Sequence, residues 1–327
     1  MRLILLPLVS TLLLAQGNVR GPYLGQTVPG STPVLFAPGI VNTGLPTRDL
    51  SMSPDGSEIY FTVMLPGFQV SAICTTRIEQ GKWMSPEVAS FARDGRWRTL
   101  EPCFSPDGRR FFFVSDRPAD RDGQKPGPFG IWVMERKGMG WSEPTRLPAC
   151  VNGAGESFFP SLTRDGTLYF LRENGPDRSI MRARLIAGEY RESEKLPAPL
   201  NQAPIQANPF VDPLERFLIV PMAGRPDSLG GADYYISFRK DEGGWTEPQN
   251  LGAPVNSADG QEYSASLSPD GRFLFFMSGR LSEGSKPKTV EFGTLLSLRT
   301  RPGNGTPAIW WIDAGFIATL RAKALAK

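Results

Sequence analysis

The 327-residue chain contains no histidine, and this absence excludes more chemistry than any other feature of its composition. Without an imidazole there is no Ser-His-Asp or Cys-His triad, no histidine proton transfer near neutral pH and no histidine metal site. Any catalysis would have to depend on carboxylates. We therefore expect a protein without enzyme activity, with carboxylate catalysis as the alternative that stays open.

The sequence also has few cysteines and a small net charge. Because there are three cysteines, Cys74, Cys103 and Cys150, at least one thiol stays unpaired. The 36 basic and 33 acidic residues leave a net charge of +3, and the basic residues form no long run. This mild balance gives no indication of nucleic-acid binding.

The N-terminus has the pattern of an export signal. A single arginine at position 2 is followed by an apolar run from Leu3 to Ala15 and then by Gly17. One positive charge, an apolar stretch too short for a bilayer and small residues at the end are typical of a secretory signal peptide. We predict a signal peptide at residues 1–17 and a periplasmic or secreted protein, with a retained N-terminal anchor as the alternative.

Strand–turn–strand segments with Ser-Pro-Asp-Gly at the turn repeat along the chain. Proline presets φ at the first central turn position and glycine supplies a positive φ, so Pro-Asp-Gly between apolar runs predicts a hairpin. The fourth copy has Asp-Pro-Leu-Glu instead. The five copies that align on each other occupy residues 49–61, 101–113, 159–171, 208–219 and 264–276.

A second motif follows each of the first four hairpins after a further predicted strand. It begins with Trp83, Trp141 or Trp245, with Tyr190 in the equivalent place, and leads into Val-Asn or Leu-Asn in most copies. Each unit then has four strands, which is one blade of a β-propeller. Because the aromatic residue recurs at one position of the blade, we expect it to pack between blades.

The two ends of the chain complement each other. The last unit ends near Trp310 and Trp311 without the aromatic motif, whereas residues 33–43 carry an extra strand before the first hairpin. We predict that this N-terminal strand completes the last blade and removes its free edge. The predicted fold class is all-β, a propeller of five four-stranded blades, with six blades as the alternative. Since side chains alternate along a strand, one of the two tryptophans should face outward.

These features divide the chain into four parts. The predicted signal peptide at residues 1–17 is followed by an N-terminal linker at 18–32 and by the propeller at 33–313. Residues 314–327 are rich in Ala, Leu and Lys, which predicts a short C-terminal helix.

The motifs resemble a known repeat. Ser-Pro-Asp-Gly hairpins, Phe-x-Ser endings at Phe113 and Phe276, and the Trp-Ser-Glu-Pro and Val-Asn-Ser segments are similar to the WD-repeat-like propeller repeat of TolB-like bacterial proteins. The resemblance covers about residues 33–313. It implies an exported propeller that acts as a binding module.

Candidate site residues follow from the propeller geometry. The inner strand of every blade lines the central channel, so polar residues where these strands begin should converge on one funnel. Four carboxylates there can bind a cation, a sugar or a basic peptide group, or supply the acid and base of a glycosidase. Pairing with Arg48 and other nearby bases is the structural alternative. The candidates are Asp49, Glu101, Glu156, Gln206 and Glu262.

Two long polar loops, at residues 116–128 and 281–305, should decorate one rim of the ring as a variable contact surface. We expect a non-catalytic binding or scaffolding module that uses the funnel and these loops, with a carboxylate-based glycan hydrolase as the alternative. No cofactor is expected, apart from a structural or funnel divalent cation. The expected partner is another envelope or extracellular protein, or a glycan or peptide. The chain should be a monomer that meets a membrane only through an uncleaved N-terminal segment, and no nucleic acid is expected.

Overall fold

The computed structural model describes residues 19–120, 123–153, 155–258 and 260–326. The predicted signal peptide at residues 1–17 lies outside the described residues. Five antiparallel sheets form the five blades of a propeller. The predicted all-β, five-bladed propeller is confirmed, and the six-bladed alternative is wrong.

The first three blades each consist of an inner strand on the channel, a second and a third strand, and short outer strands. The strands of the first blade are Thr47–Met52, Glu58–Met64, Ser71–Glu79, Lys82–Trp83 and Glu87–Val88. Those of the second are Thr99–Phe104, Arg110–Ser115, Gly130–Lys137, Gly140–Trp141 and Thr145–Arg146. Those of the third are Glu156–Leu162, Leu168–Asn174, Asp177–Ala183 and Glu194–Lys195, beside a hairpin of Leu185–Ile186 and Glu189–Tyr190.

The last two blades depart from this plan, because the fourth has an interrupted inner strand and the fifth borrows its outer strand. The strands of the fourth are Ile205–Gln206, Phe210–Val211, Phe217–Ala223, Ala232–Phe238 and Gln249–Asn250. Those of the fifth are Ala265–Leu267, Phe273–Ser278, Ala308–Asp313 and Val34–Leu35.

Helices are few. The α-helices are Ala149–Asn152, Phe292–Arg299 and Phe316–Leu325, and the short 3-10 turns are Tyr23–Gly25, Pro66–Phe68 and Ser90–Ala92. We call Phe292–Arg299, which lies between the second and third strands of the fifth blade, the insertion helix, and Phe316–Leu325 the C-terminal helix. Within the described part of the chain, no helix has the length and apolarity needed to cross a bilayer.

The ring is closed by the N-terminal strand, as predicted. Val34–Leu35 pairs antiparallel with Ala308–Asp313, so that Val34 lies opposite Trp311. Asn42 reinforces the joint, because its Oδ1 accepts the Ile309 amide at 2.9 Å and its Nδ2 donates to the Ile309 carbonyl at 2.9 Å. The fifth blade therefore has four strands and no free outer edge on its third strand.

The Val-Asn and Leu-Asn motifs have a common structural reason. Each asparagine side chain pairs with one residue of a third strand, accepting its amide and donating to its carbonyl as a neighbouring peptide group would. For the third strand of the first blade, Thr99 of the second blade takes this place, and its Oγ1 accepts the Ile73 amide at 3.1 Å. The other pairs are Asn152 with Ile131, Asn201 with Ile180 and Asn256 with Tyr234.

The hydrophobic cores lie between adjacent blades. Trp83, Trp141, Tyr190 and Trp245 each pack in the core between their own blade and the preceding one, as expected from their recurrence. The core between the fourth and fifth blades has no equivalent aromatic motif residue. The C-terminal helix packs there instead, with Ile317 and Ala324 buried and Phe316 and Leu320 partly buried.

Trp310 and Trp311 correct one expectation. Both are buried, at 6% and 0% exposure, so the prediction that one faces outward is wrong. Their side chains do alternate, because Trp310 packs toward the fourth blade and Trp311 toward the first. Both faces of a propeller blade are covered by neighbours, and alternation therefore buries both side chains.

The antiparallel order of the strands gives the ring two distinct faces. The turn face carries the connections between inner and second strands, including the Ser-Pro-Asp-Gly turns. There Asp55 accepts the Ser57 amide at 3.0 Å, which is the local turn role expected for this aspartate. The insertion face carries the connections between second and third strands, including the loops at residues 116–128 and 281–305.

Replacing Asn152 with alanine should destabilise the fold, because the buried Ile131 amide would lose its acceptor. An unsatisfied buried donor costs about 1–3 kcal/mol, and we expect the free energy of unfolding in urea to fall by about that amount. Asn174→Ala, at an exposed strand end, is the matched control and should change it by less than about 0.5 kcal/mol. Equal unfolding midpoints for the two variants would contradict the role assigned to the asparagine.

Candidate functional site

The channel side chains of the inner strands in the first four blades are set by an irregularity in each of those strands. The pairing of inner and second strands shifts register at this point in the first three blades. Non-glycine residues there adopt positive φ, which such residues rarely do. They are Asp49 at 55°, Glu101 at 57°, Phe159 at 50° and Asn208 at 31°.

Arg48 joins the first two candidate carboxylates. Its Nε lies 2.7 Å from the nearer Asp49 oxygen, and its Nη2 lies 2.8 Å from Glu101 Oε1. The other Glu101 oxygen accepts the Phe159 amide at 2.6 Å. The ring of Tyr263 covers the guanidinium, with its centroid 4.5 Å from Cζ. One guanidinium thus holds two carboxylates from neighbouring blades.

The fourth and fifth blades complete this arrangement. Ser264 donates a hydrogen bond from its hydroxyl to Asp49, and Asn208 Nδ2 lies 3.4 Å from the same hydroxyl oxygen. We call the set of Arg48, Asp49, Glu101, Asn208, Tyr263 and Ser264 the central polar network. It draws side chains from four of the five blades, and Asp49, Glu101, Asn208 and Ser264 are buried within it.

The electrostatics of the network are those of a buried structural cluster. Asp49 and Glu101 are only 4% and 3% exposed. Burial raises the pKa of Glu101; Arg48 opposes this rise and the charge of Asp49 adds to it. Breaking a buried pair of this kind by removing one partner typically costs about 3–5 kcal/mol. We infer that the network holds the inner strands together.

Glu156 and Gln206 do not reach the central polar network. Glu156 Oε1 accepts the Phe129 amide at 3.0 Å, and Gln206 donates from Nε2 to the Arg178 carbonyl. Both contacts run to the start of the third strand in the preceding blade. The Oε1 of Gln206 is buried without a hydrogen-bond partner among the described residues.

Glu262 is also separate from the network. It is 0% exposed, and its Oε1 accepts hydrogen bonds from the hydroxyls of Ser257 at 2.8 Å and Ser278 at 2.9 Å. Arg280 Nη2 lies 3.6 Å from the same oxygen. Of the five predicted site residues, the structure therefore brings only Asp49 and Glu101 together.

The residues that share the channel with them were missed because the candidates were chosen as polar residues near the start of each inner strand and not by their position in the repeat. The repeat alignment begins at Asp49, Glu101, Phe159, Asn208 and Ser264; the first four share a positive φ, and the strand pairing places Ser264 in register with Asp49. Comparison of the same repeat position in every copy could therefore have identified Asn208 and Ser264 as channel residues.

A cavity of about 240 Å³ opens from the network toward the turn face. Its floor includes Asp49, Phe159 and Ser264. Its walls include Ser51, Cys103, Ser161, Phe210 and Ser266. Its mouth includes Pro54, Pro106, Arg164, Pro213 and Pro269, one residue from each turn.

The hydroxyls of the wall serines form hydrogen bonds with backbone groups. Ser51 Oγ accepts the Phe104 amide at 3.0 Å, and Ser161 Oγ accepts the Val211 amide at 2.9 Å, in each case from the next blade. Burial raises the pKa of Cys103 to about 12, so its thiol stays protonated at neutral pH. These groups shape the wall and supply no activated nucleophile.

Arg164 is the exception at the mouth. It stands where the four other turns have proline, and its side chain is exposed. Arg216, also on the rim, is paired with Asp212, whose Oδ1 lies 2.7 Å from its Nη2. Arg164 has no such carboxylate partner among the described residues. The mouth therefore presents a guanidinium without a carboxylate partner at Arg164, and the lining also includes the exposed carboxylate of Asp270, which accepts the Ser268 hydroxyl and the Arg272 amide.

No family model matches the chain, and no curated protein matches it in sequence. It is similar in structure to putative TolB from Agrobacterium tumefaciens, with 14% identity, 77% of this chain and 79% of that chain covered, and a TM-score of 0.49. TolB from Acinetobacter baumannii is 17% identical, with 74% and 50% covered and a TM-score of 0.44. α-L-Arabinofuranosidase from Lactobacillus brevis is 10% identical, with 82% and 90% covered and a TM-score of 0.46. TolB proteins are thus among the similar structures, as the repeat motif predicted, and at these identities the likeness concerns the fold alone.

Glu262 should make the stability of the protein depend on pH. Burial raises the pKa of Glu262 to about 7, with the Ser257 and Ser278 hydrogen bonds opposing the rise. Because the folded state favours the neutral form, this stabilisation is complete below the unfolded pKa near 4.3 and is lost as pH rises toward 7. Glu262→Gln keeps a neutral side chain, so the wild type should lose on the order of 3 kcal/mol relative to this variant between pH 4 and 8.

Urea unfolding of both proteins across that pH range measures the effect. Glu247→Gln, at an exposed position, is the matched control and should follow the wild type at every pH. A constant stability difference between the wild type and Glu262→Gln would show that the carboxyl of Glu262 does not titrate as described.

Proposed function

We propose that the chain is an exported binding or scaffolding module without catalytic activity, and that its turn-face cavity receives a small ligand or a projecting group of a partner. The observation that carries this proposal is the asymmetry of the channel. The cavity opens at the turn face, and at its other end it borders the buried central polar network. Export follows from the predicted signal peptide.

The size of the cavity supports a small ligand group. Pockets for drug-sized ligands occupy roughly 300–1,000 Å³, and this one measures about 240 Å³. It can hold one sugar unit, one side chain or the end of a longer chain. Since its walls are inner strands of the ring, the cavity is formed before a ligand arrives, which reduces the entropy lost on binding.

The carboxylates favour binding over the alternative of glycan hydrolysis. Glycosidases place two acids about 5–9.5 Å apart beside an open substrate site, with one free to give a proton. Here Asp49 and Glu101 share Arg48, both are almost fully buried, and only Asp49 borders the cavity. Cys103 offers no thiolate in its place.

The chemistry of the mouth supports a ligand with an anionic group. Arg164 is exposed there and can pair with a carboxylate or phosphate, while Phe210 supplies an apolar wall. A glycan or peptide with an acidic group, or an acidic side chain on another envelope or extracellular protein, has this combination.

Thermal unfolding of residues 18–327 tests the proposal, because this segment contains every described strand and helix. We would add oligosaccharides, cell-wall fragments, acidic peptides and divalent cations in turn. A ligand at 100 times its Kd stabilises the native state by about 2.7 kcal/mol and raises the unfolding temperature. Arg164→Ala should abolish that rise, whereas Arg109→Ala, at an exposed turn position that does not line the cavity, should keep it.

Three results would contradict the proposal. The first is the absence of any shift with every member of the panel, and the second is a shift that persists unchanged in Arg164→Ala. The third is release of cleaved products from an oligosaccharide by the wild type, because that would show catalysis.

A further inference from the structure

The insertion face is the more apolar of the two faces. The turn-face loops expose the large apolar residues Met139, Ile186 and Leu214. Soluble proteins rarely expose many such residues together without a binding role. Those exposed on loops of the insertion face are Leu45, Leu65, Val70, Leu229, Leu281, Val290, Phe292, Leu295 and Leu296.

The insertion helix is the centre of this surface. Phe292 is 77% exposed, and Leu295 and Leu296 are each 51% exposed. Thr294 and Leu298, one turn apart, are half-buried and mark the side that faces the protein. No residue of the helix is fully buried. Its outward side is therefore apolar and uncovered.

The helix is held close to the ring at its C-terminal end. The backbone of Thr300 lies so near Gly44 that a β-carbon on Gly44 would be 2.7 Å from the Thr300 carbonyl carbon. Gly44 adopts a φ of 92°, so glycine is favoured there for both reasons. The C-terminal end of the helix thus lies beside the connection that leads into the first blade, which also contains the exposed Leu45.

Basic residues surround the apolar side chains. Lys286 and Lys288 precede the helix, and Arg299 and Arg301 stand at its end. All four are exposed, and none makes an ion pair with a described residue. The loop at residues 281–305 contains only two acids, Glu283 and Glu291, so it carries a net charge of +2.

We propose that the insertion face docks on the surface of an anionic lipid bilayer, with the insertion helix lying in the headgroup region. Exposed aromatic and aliphatic residues flanked by cations are the combination that binds such surfaces, because apolar burial and attraction to anionic lipids add. Phenylalanine and leucine enter the boundary of the acyl chains, while the long basic side chains reach the phosphates.

Charge complementarity favours a bilayer over a protein groove. An eight-residue helix is about 12 Å long, whereas a stable protein interface buries roughly 800 Å² on each partner. A lipid surface needs no matching groove and accepts cations at both ends of the helix. Docking in this orientation leaves the cavity on the opposite, turn face open to its ligand.

Vesicle co-sedimentation of residues 18–327 tests the proposal. The vesicles contain phosphatidylcholine alone or mixed with phosphatidylglycerol. We expect binding to the anionic vesicles that weakens in high salt, and a roughly tenfold or greater loss of affinity for Phe292→Ser/Leu295→Ser/Leu296→Ser. The matched control, Met139→Ser/Ile186→Ser/Leu214→Ser, removes exposed apolar residues of the turn face and should bind as the wild type does.

Thermal unfolding of each variant shows that it is folded before binding is compared. Failure of the wild type to bind anionic vesicles would overturn the proposal, and so would equal binding by the two triple variants. Sedimentation velocity gives the third outcome. A wild type that self-associates, together with a monomeric insertion-helix variant, would show that a second copy covers this face and that the lipid assignment is wrong.

Discussion

A propeller ring holds together only if its last blade is joined to its first, and here two residues of strand make that joint. Val34–Leu35 pairs with Ala308–Asp313, and the side chain of Asn42 hydrogen-bonds to both the amide and the carbonyl of Ile309. Every hydrophobic core lies between two adjacent blades. An open ring would therefore lose one whole core, which contains Phe36 and Trp311, as well as one run of strand pairing.

Closure also creates the candidate site. It places the inner strand of the fifth blade beside that of the first, so that Ser264 meets Asp49 while Arg48 joins Asp49 to Glu101. Asp49 and Ser264 of the resulting network form part of the floor of the turn-face cavity. The two faces consequently have different chemistry. One presents a small cavity with Arg164 at its mouth, and the other presents apolar and basic residues around the insertion helix.

The repeat made most of the fold predictable, because hairpins, aromatic packing and the missing outer strand are local patterns that recur. The site was only half predictable. Asp49 and Glu101 occupy the repeat position whose side chains meet in the channel. Glu262 lies two residues before the equivalent position, Ser264, and two residues span roughly 7 Å along a strand. Arg164 and Phe210 matter because they depart from the repeat, and a search for recurring residues passes over them. The insertion helix has no counterpart in the other blades, so nothing in the repeat predicts its exposed side chains.

The most direct test of ring closure is strand removal followed by addition in trans. Urea unfolding and sedimentation velocity would compare residues 18–327 with residues 43–327, alone and with a synthetic peptide of residues 18–42. We expect the shorter chain to unfold at lower urea and to self-associate through the exposed edge of Ala308–Asp313, and we expect the peptide to restore a monomer with the original midpoint. A shorter chain that stays monomeric and unfolds at the same midpoint would contradict it.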